Sequence, residues 1–157
     1  MMTSLYGPAH CRQCYRRLLQ PRAPFTHPLC NECLERELSS HARWLAGAPD
    51  GRPAALRYAD LRQTDLRRRP LARVDLRDAD LEGADLREID LHQARLDNVE
   101  ARQADLTGAR LQGASLRHAV LKHTCLERAN LGWSDLKGID LHAADLRSAS
   151  LRYACLE

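Results

Sequence analysis

From residue 54 to the last, a leucine recurs every five residues: Leu56, Leu61, Leu66, Leu71, Leu76 and onward to Leu156, twenty-one positions with one exception, Ala101. Two residues before each stands a small or β-branched residue, Ala in thirteen of the twenty-one and otherwise Thr, Ser, Val or Ile, with Arg69 the one misfit. A period of five fits neither regular element. On an α-helix it advances the side chain by about 140°, which spreads leucine around the whole cylinder. On a continuous strand an odd step sends successive leucines to opposite faces. The pattern closes only if the chain turns a corner once per repeat. The leucine and the residue two before it then share the inward face of a very short strand, while the residue between them and the two after face solvent. At Val99-Glu100-Ala101 the large residue moves to the alanine site and the leucine site becomes small, which roughly conserves volume.

Repeats such as Ala79-Asp80-Leu81-Glu82-Gly83, Ala84-Asp85-Leu86-Arg87-Glu88 and Ala144-Asp145-Leu146-Arg147-Ser148 resemble the pentapeptide-repeat family, whose consensus is A(D/N)LXX. The resemblance implies an all-β solenoid, a right-handed quadrilateral β-helix with four repeats to a coil and one on each side of a square. Residues 54–157 would make about five coils, roughly 25 Å tall at ~4.8 Å between paired strands. Residues twenty apart would stack, as in Leu66, Leu86, Leu106, Leu126 and Leu146, with Ala101 in the ladder of Leu61, Leu81, Leu121 and Leu141. Alanine, Asp and Arg are poor strand formers, so stability must come from stacking between coils rather than from any one segment.

The first fifty residues have different chemistry. Cys11-Arg12-Gln13-Cys14 and Cys30-Asn31-Glu32-Cys33 are two CxxC knuckles separated by fifteen residues. Two residues between cysteines let one tight turn present both sulfurs to one metal, and two such knuckles complete a closed tetrahedron. Cys11, Cys14, Cys30 and Cys33 are therefore the candidate ligands of a structural Zn2+. Structural disulfides are the competing reading. Met1–Tyr6 lacks the basic and apolar regions of a signal peptide, so the expectation is a cytoplasmic chain with reduced thiols. From Asn31 through Leu38 to Trp44-Leu45, early acidic residues and apolar ones at 34, 38, 41/42 and 45 predict a helix of about four turns. The arrangement resembles a treble-clef or zinc-ribbon-like finger. The organisation is then a zinc finger ending in an α-helix over 1–46, a Gly/Pro-rich hinge over 47–53, and the β-helix over 54–157. The finger either caps the first coil, whose exposed edge invites aggregation, or acts as an independent binding module.

No catalytic constellation stands out. The histidines at 10, 27, 41, 92, 118, 123 and 142 are scattered, and Cys125 and Cys155 take outward positions. The outward Asp of ten repeats forms a carboxylate stripe, but in six a cation follows two residues later (Asp60/Arg62, Asp65/Arg67, Asp75/Arg77, Asp85/Arg87, Asp135/Lys137, Asp145/Arg147). Residues 54–157 hold seventeen Lys/Arg and seventeen Asp/Glu, so no strong far field results. The basic run Arg67-Arg68-Arg69, with Arg73, is a candidate phosphate cluster. Against that, Arg69 at an inward position beside Pro70 points to a distorted corner bulging outward. These features favour a non-catalytic macromolecular interaction protein that uses finger and rod as binding surfaces for a protein partner. The alternatives are a nucleic-acid or nucleoprotein accessory factor with the finger on phosphates, and a DNA-mimicking gyrase binder, a property of the family's quinolone-resistance members. No apolar run approaches a membrane span. The repeat continues into Ala154-Cys155-Leu156-Glu157 without a polar cap, which raises the expectation of an end-to-end homodimer through the C-terminal coil.

Overall fold

The computed structural model describes residues 31–157. Each five-residue repeat is one straight side followed by one corner. The leucine carbonyl accepts the N–H three residues on, as in Ala59 to Leu56 at 3.1 Å and Ala84 to Leu81 at 3.0 Å. The third residue of that turn has positive φ in every repeat from Tyr58 to Tyr153, the signature of a type II turn. Only Gly83, Gly108, Gly113 and Gly138 among them are glycine, and none of the others is β-branched. A β-branched side chain would be strained in the left-handed region. Glycine also makes room here: a Cβ on Gly138 would stand 2.5 Å from Nδ1 of His118, one coil earlier.

Four corners close a coil. Each outward residue pairs in parallel with the residue twenty further on, from Ala55 with Asp75 to Asp135 with Cys155. The β-structure shrinks to this single residue per repeat, because the turn takes the rest. We number the sides from 54–56, so that the first side also contains 74–76, 94–96, 114–116, 134–136 and 154–156.

The repeat Ala84–Glu88 shows where all five backbone N–H groups go. Ala84 closes the turn on Leu81 O (3.0 Å), Asp85 donates back to Thr64 O (2.9 Å), and Leu86 and Glu88 donate forward to Asp105 O (2.8 Å) and Thr107 O (2.9 Å). Arg87 N–H has no backbone partner and donates instead to Oδ1 of Asp85 at 3.3 Å. The same Asx-turn, two residues back, recurs at all ten outward aspartates. Asn130 does the same for Gly132 at 3.0 Å. Asp or Asn before the leucine thus serves the backbone in eleven of the twenty-one repeats. Where Ser115 replaces it, Asp97 of the preceding coil accepts the Arg117 N–H at 3.3 Å.

Inside, the leucines and the small residues two before them form one continuous core from Leu56 to Leu136. Polar inward residues are satisfied: Thr64 and Ser134 hydroxyls donate to Leu61 O and Leu131 O, each at 2.6 Å, and Thr124 donates to Ala101 O at 2.7 Å. Val99 and Ala101 are both buried in register. In the last coil Leu141, Leu146 and Leu151 are half-buried and Leu156 is exposed.

The distorted corner expected at Arg69-Pro70 does not form. Pro70 pairs with Asp90 in the regular register. The N–H of an outward residue points toward the preceding coil, and in the first coil no coil precedes, so proline loses nothing. Arg69 escapes inward burial by reaching out of the coil end, where its Nη2 donates to Glu35 Oε1 at 2.5 Å.

Glu35 belongs to α1, Asn31–Leu45, which matches the predicted helix and stands over the first coil. Its buried face carries Cys33, Leu34, Glu37, Leu38, Ser40 and His41, and Leu34 and Leu38 join the rod's core. The helix supplies what a preceding coil would have supplied. Ala55 N–H donates to Glu37 Oε2 (3.1 Å) and Ala54 N–H to His41 Nδ1 (3.1 Å). His41 Nε2 then carries the proton and donates to Ala72 O at 3.1 Å. In the regular pattern that carbonyl would take an N–H from residue 53, which is proline. Residues 47–53, read from sequence as a hinge, fold back along α1: Gly47 (φ 75°) ends the helix, and Arg52 N–H donates to Ser40 O at 3.3 Å. A Cβ on Gly51 would stand 2.2 Å from Trp44 N.

Two predictions follow from this accounting. Asp105→Asn should unfold within a few tenths of a kcal/mol of the parent, because an amide oxygen still accepts the Thr107 N–H, whereas Asp105→Ala should cost about 1 kcal/mol. Leu106→Asp should abolish cooperative unfolding, since an unpaired buried charge costs several kcal/mol; equal tolerance at 105 and 106 in urea titrations would refute the register. The second concerns His41, whose pKa is lowered, chiefly by burial. Its folded value lies below the unfolded one, so its contribution is complete above about pH 6.5 and is lost as pH falls through the folded value. Thermal unfolding between pH 8 and 5 should show a slope that His41→Ala removes, and identical slopes would contradict the neutral staple.

Candidate interaction surface

Of the four candidate metal ligands, Cys11, Cys14 and Cys30 lie outside the described residues. Cys33 sits in the first turn of α1, buried, with Arg36 Nη2 donating to its Sγ at 3.4 Å. Among the described residues themselves, no cluster of three or more His, Cys, Asp or Glu is arranged to hold a metal.

The carboxylate stripe is engaged from two directions. Oδ1 caps the chain's own N–H, and a guanidinium two residues on closes a bidentate clamp: Arg67 on Asp65 (2.9 and 2.6 Å), Arg87 on Asp85 (2.8 and 2.6 Å), with the same geometry at Asp60, Asp75 and Asp145. The clamps link coils, since Arg67 also lies 3.4 Å from Asp85 and Arg87 3.7 Å from Asp105. Guanidinium hydrogen bonds hold Asp65, Asp75, Asp85 and Asp145 below the usual carboxylate range. At Asp140 the His142 N–H is the main cause, followed by Lys122. One sequence pairing is exchanged. Asp135 is held by Arg117 of the preceding coil at 2.6 Å, and Lys137 gives it only a backbone N–H.

The basic run is neutralised residue by residue. Arg67 is clamped by Asp65 and Asp85, Arg68 pairs with Glu88 at 2.8 Å, and Arg69 with Glu35 at 2.5 Å. Arg73 lies over the Trp44 ring, 4.5 Å from its centroid. A phosphate would have to displace these partners.

His10 and His27 lie outside the described residues. His41 is structural, His92 Nδ1 meets Asp90 at 2.7 Å, and His123 stands edge-on to His142 at 6.0 Å. Cys125 Sγ is 3.1 Å from Thr107 Oγ1, and Cys155 is exposed. Sequence reasoning missed one surface feature. Trp133 and Tyr153, twenty apart at the same turn position, stack with centroids 4.2 Å apart, and each is 69% exposed. The four-repeat coil, applied to turn residues as it was to leucines, would have found the pair.

A family model described as pentapeptide repeats matches in 8 copies, over residues 54–87, 75–113, 84–122, 94–132 and 124–157. No curated protein matches the chain. Among solved structures it is similar to the pentapeptide repeat protein Rfr23 from the cyanobacterium Cyanothece 51142, at 31% identity over 59% of this chain and 64% of that one, TM-score 0.43. It is similar to HetL, involved in heterocyst differentiation regulation in Nostoc sp. strain PCC 7120, at 38% identity over 62% of this chain and 45% of that one, TM-score 0.45. The plasmid-mediated fluoroquinolone resistance protein QnrB1 shares the fold at 20% identity over 68% of this chain and 66% of that one, TM-score 0.50. The chain thus spans less than two thirds of the length of Rfr23 and of HetL. With its repeats matched from residue 54 to residue 157, this chain belongs to the pentapeptide-repeat family, whose fold is the right-handed quadrilateral β-helix.

Proposed function

We propose that this chain is a non-catalytic interaction protein whose rod and N-terminal zinc-bearing segment present binding surfaces to a protein partner. One observation carries the reading: the outward aspartates are tied to the chain's own N–H groups and, in five repeats, clamped by arginine. Carboxylates held this way serve the scaffold and have lost the freedom that general acid–base chemistry requires. What remains is a stiff surface of fixed shape.

The nucleic-acid reading is weakened by the pairing of Arg67, Arg68 and Arg69. The DNA-mimic reading needs a net negative rod, and residues 54–157 balance seventeen cations against seventeen anions. Similarity to QnrB1 concerns the fold. No helix among the described residues is long and apolar enough to cross a membrane. A cytoplasmic setting, which keeps thiols reduced, belongs to the same proposal.

Zinc at Cys11, Cys14, Cys30 and Cys33 would join the two knuckles through a closed set of thiolates. Since Cys33 opens α1, the metal would also anchor the helix that covers the first coil. Native mass spectrometry of anaerobically purified chain should find one zinc atom per chain; a disulfide among these cysteines, or no metal, contradicts the assignment.

Affinity purification of the intact chain, with and without nuclease, tests the functional reading. A protein partner retained after nuclease treatment is expected. Recovery that collapses on nuclease treatment would overturn it in favour of a nucleoprotein role.

A further inference from the structure

We propose that the first side of the rod, with the Trp133–Tyr153 corner that leads into it, binds an acidic peptide segment that inserts one aromatic ring over Gly113; this rests on the protein-interaction reading above. Three observations converge on that side.

The first is apolar. The exposed large hydrophobic residues among the described residues are Trp133, Tyr153 and Leu156, all at this corner or on the first side. Trp and Tyr anchor binding energy at interfaces out of proportion to their number.

The second is a vacancy in the turn column. Arg73, Gln93, Gly113, Trp133 and Tyr153 follow one another up this corner, one per coil. One face of Trp133 meets Tyr153, yet the residue is 69% exposed. The residue before it in the column is Gly113, where the space a Cβ would take meets only Gln93 Cγ, at 3.6 Å. Adjacent coils are ~4.8 Å apart, so the missing side chain leaves room in this outer column for an added ring beside Trp133.

The third is charge. Eight of the eleven Lys/Arg of coils two to five have a carboxylate within 4.0 Å. Arg95, Lys137 and Arg152 have none among the described residues, and all three lie on the first side or at its two corners. Of the carboxylates there, Asp75 is paired with Arg77, Asp135 with Arg117 and Asp78 with Arg57, whereas Asp97 accepts only from the Ser115 hydroxyl and the Arg117 N–H, and Glu157 has no cation within 4.0 Å among the described residues. With Glu157 and Asp97 counted, this side and its two corners still hold seven Lys/Arg against five Asp/Glu, a modest positive excess beside the aromatic pair. Single-stranded nucleic acid also combines stacking with negative charge, but it needs a continuous basic track. Here Arg95, Lys137 and Arg152 are three separate cations on a rod whose other charges balance, and they make no such track. A peptide can place its carboxylates only where the free cations stand.

The test uses the intact purified chain and a fluorescent synthetic peptide of glutamates around a single phenylalanine. Controls are the same peptide with Ala for Phe, the same with Lys for Glu, and an oligothymidine. The acidic phenylalanine peptide should bind and perturb Trp133 fluorescence. Gly113→Gln, which fills the vacancy with a residue the turn already accepts at Gln93 and Gln103, should weaken binding about tenfold or more with unchanged thermal unfolding. Trp133→Ala and the combined charge reversal of Arg95, Lys137 and Arg152 to Glu should do the same. Equal binding of the lysine peptide, tighter binding of oligothymidine, or indifference to Gly113→Gln and Trp133→Ala would each overturn the proposal. A protein partner recovered equally by the parent and by Gly113→Gln would sink this surface alone, whereas recovery of no protein partner would sink the functional reading beneath it.

Discussion

A corner per repeat leaves one backbone N–H in every five without a backbone acceptor. Four are taken by the turn and by neighbouring coils, as at Ala84, Asp85, Leu86 and Glu88. The fifth, on the residue after the leucine, is taken in eleven of the twenty-one repeats by an Asp or Asn two residues back, as by Asp85. An unpaired backbone group next to a packed core is costly, so the carboxylate belongs to the architecture before it belongs to the surface. The remaining oxygen of that carboxylate recruits arginine, and the arginines tie one coil to the next. Surface neutrality is thus a by-product of how the coil closes.

The same accounting explains the N-terminal end. A first coil has no predecessor, and its upward groups must be met by other means. Proline at 70 removes one donor. Glu37 and His41 answer Ala55, Ala54 and Ala72, and Arg69, unfit for an interior, turns its misfit into a contact with Glu35. The two sequence oddities of this coil, Arg69 and Pro70, are adaptations to an edge.

The solenoid was legible because its signal, Leu every five residues with a small partner two before, is a packing requirement repeated some twenty times. The helix over 31–45 was legible from its apolar spacing. The role of Asp was not, because a charge at an exposed position reads as a charge. The clue was that Asn130 serves equally at the same site, which only a hydrogen-bond acceptor explains. The left-handed turn residues were equally obscured, since Gln, Arg and His at these positions look like ordinary surface, and the signal lay in the absence of Val, Ile and Thr. Arg69-Pro70 misled because a local rule was applied without knowing that this repeat lies at an edge. The knuckle cysteines Cys11, Cys14 and Cys30 fall outside the described residues, so the proposed metal site rests on the spacing of the two knuckles.

Coils close every twenty residues through specific backbone bonds. Scalar couplings transmitted across hydrogen bonds in isotopically labelled protein test it most directly. The account predicts couplings from Leu86 N to the Asp105 carbonyl carbon and from Leu106 N to that of Cys125, where the N···O distances are 2.8 and 2.7 Å. Couplings from these amides to carbonyls one repeat away, or none at all in the folded protein, would contradict it.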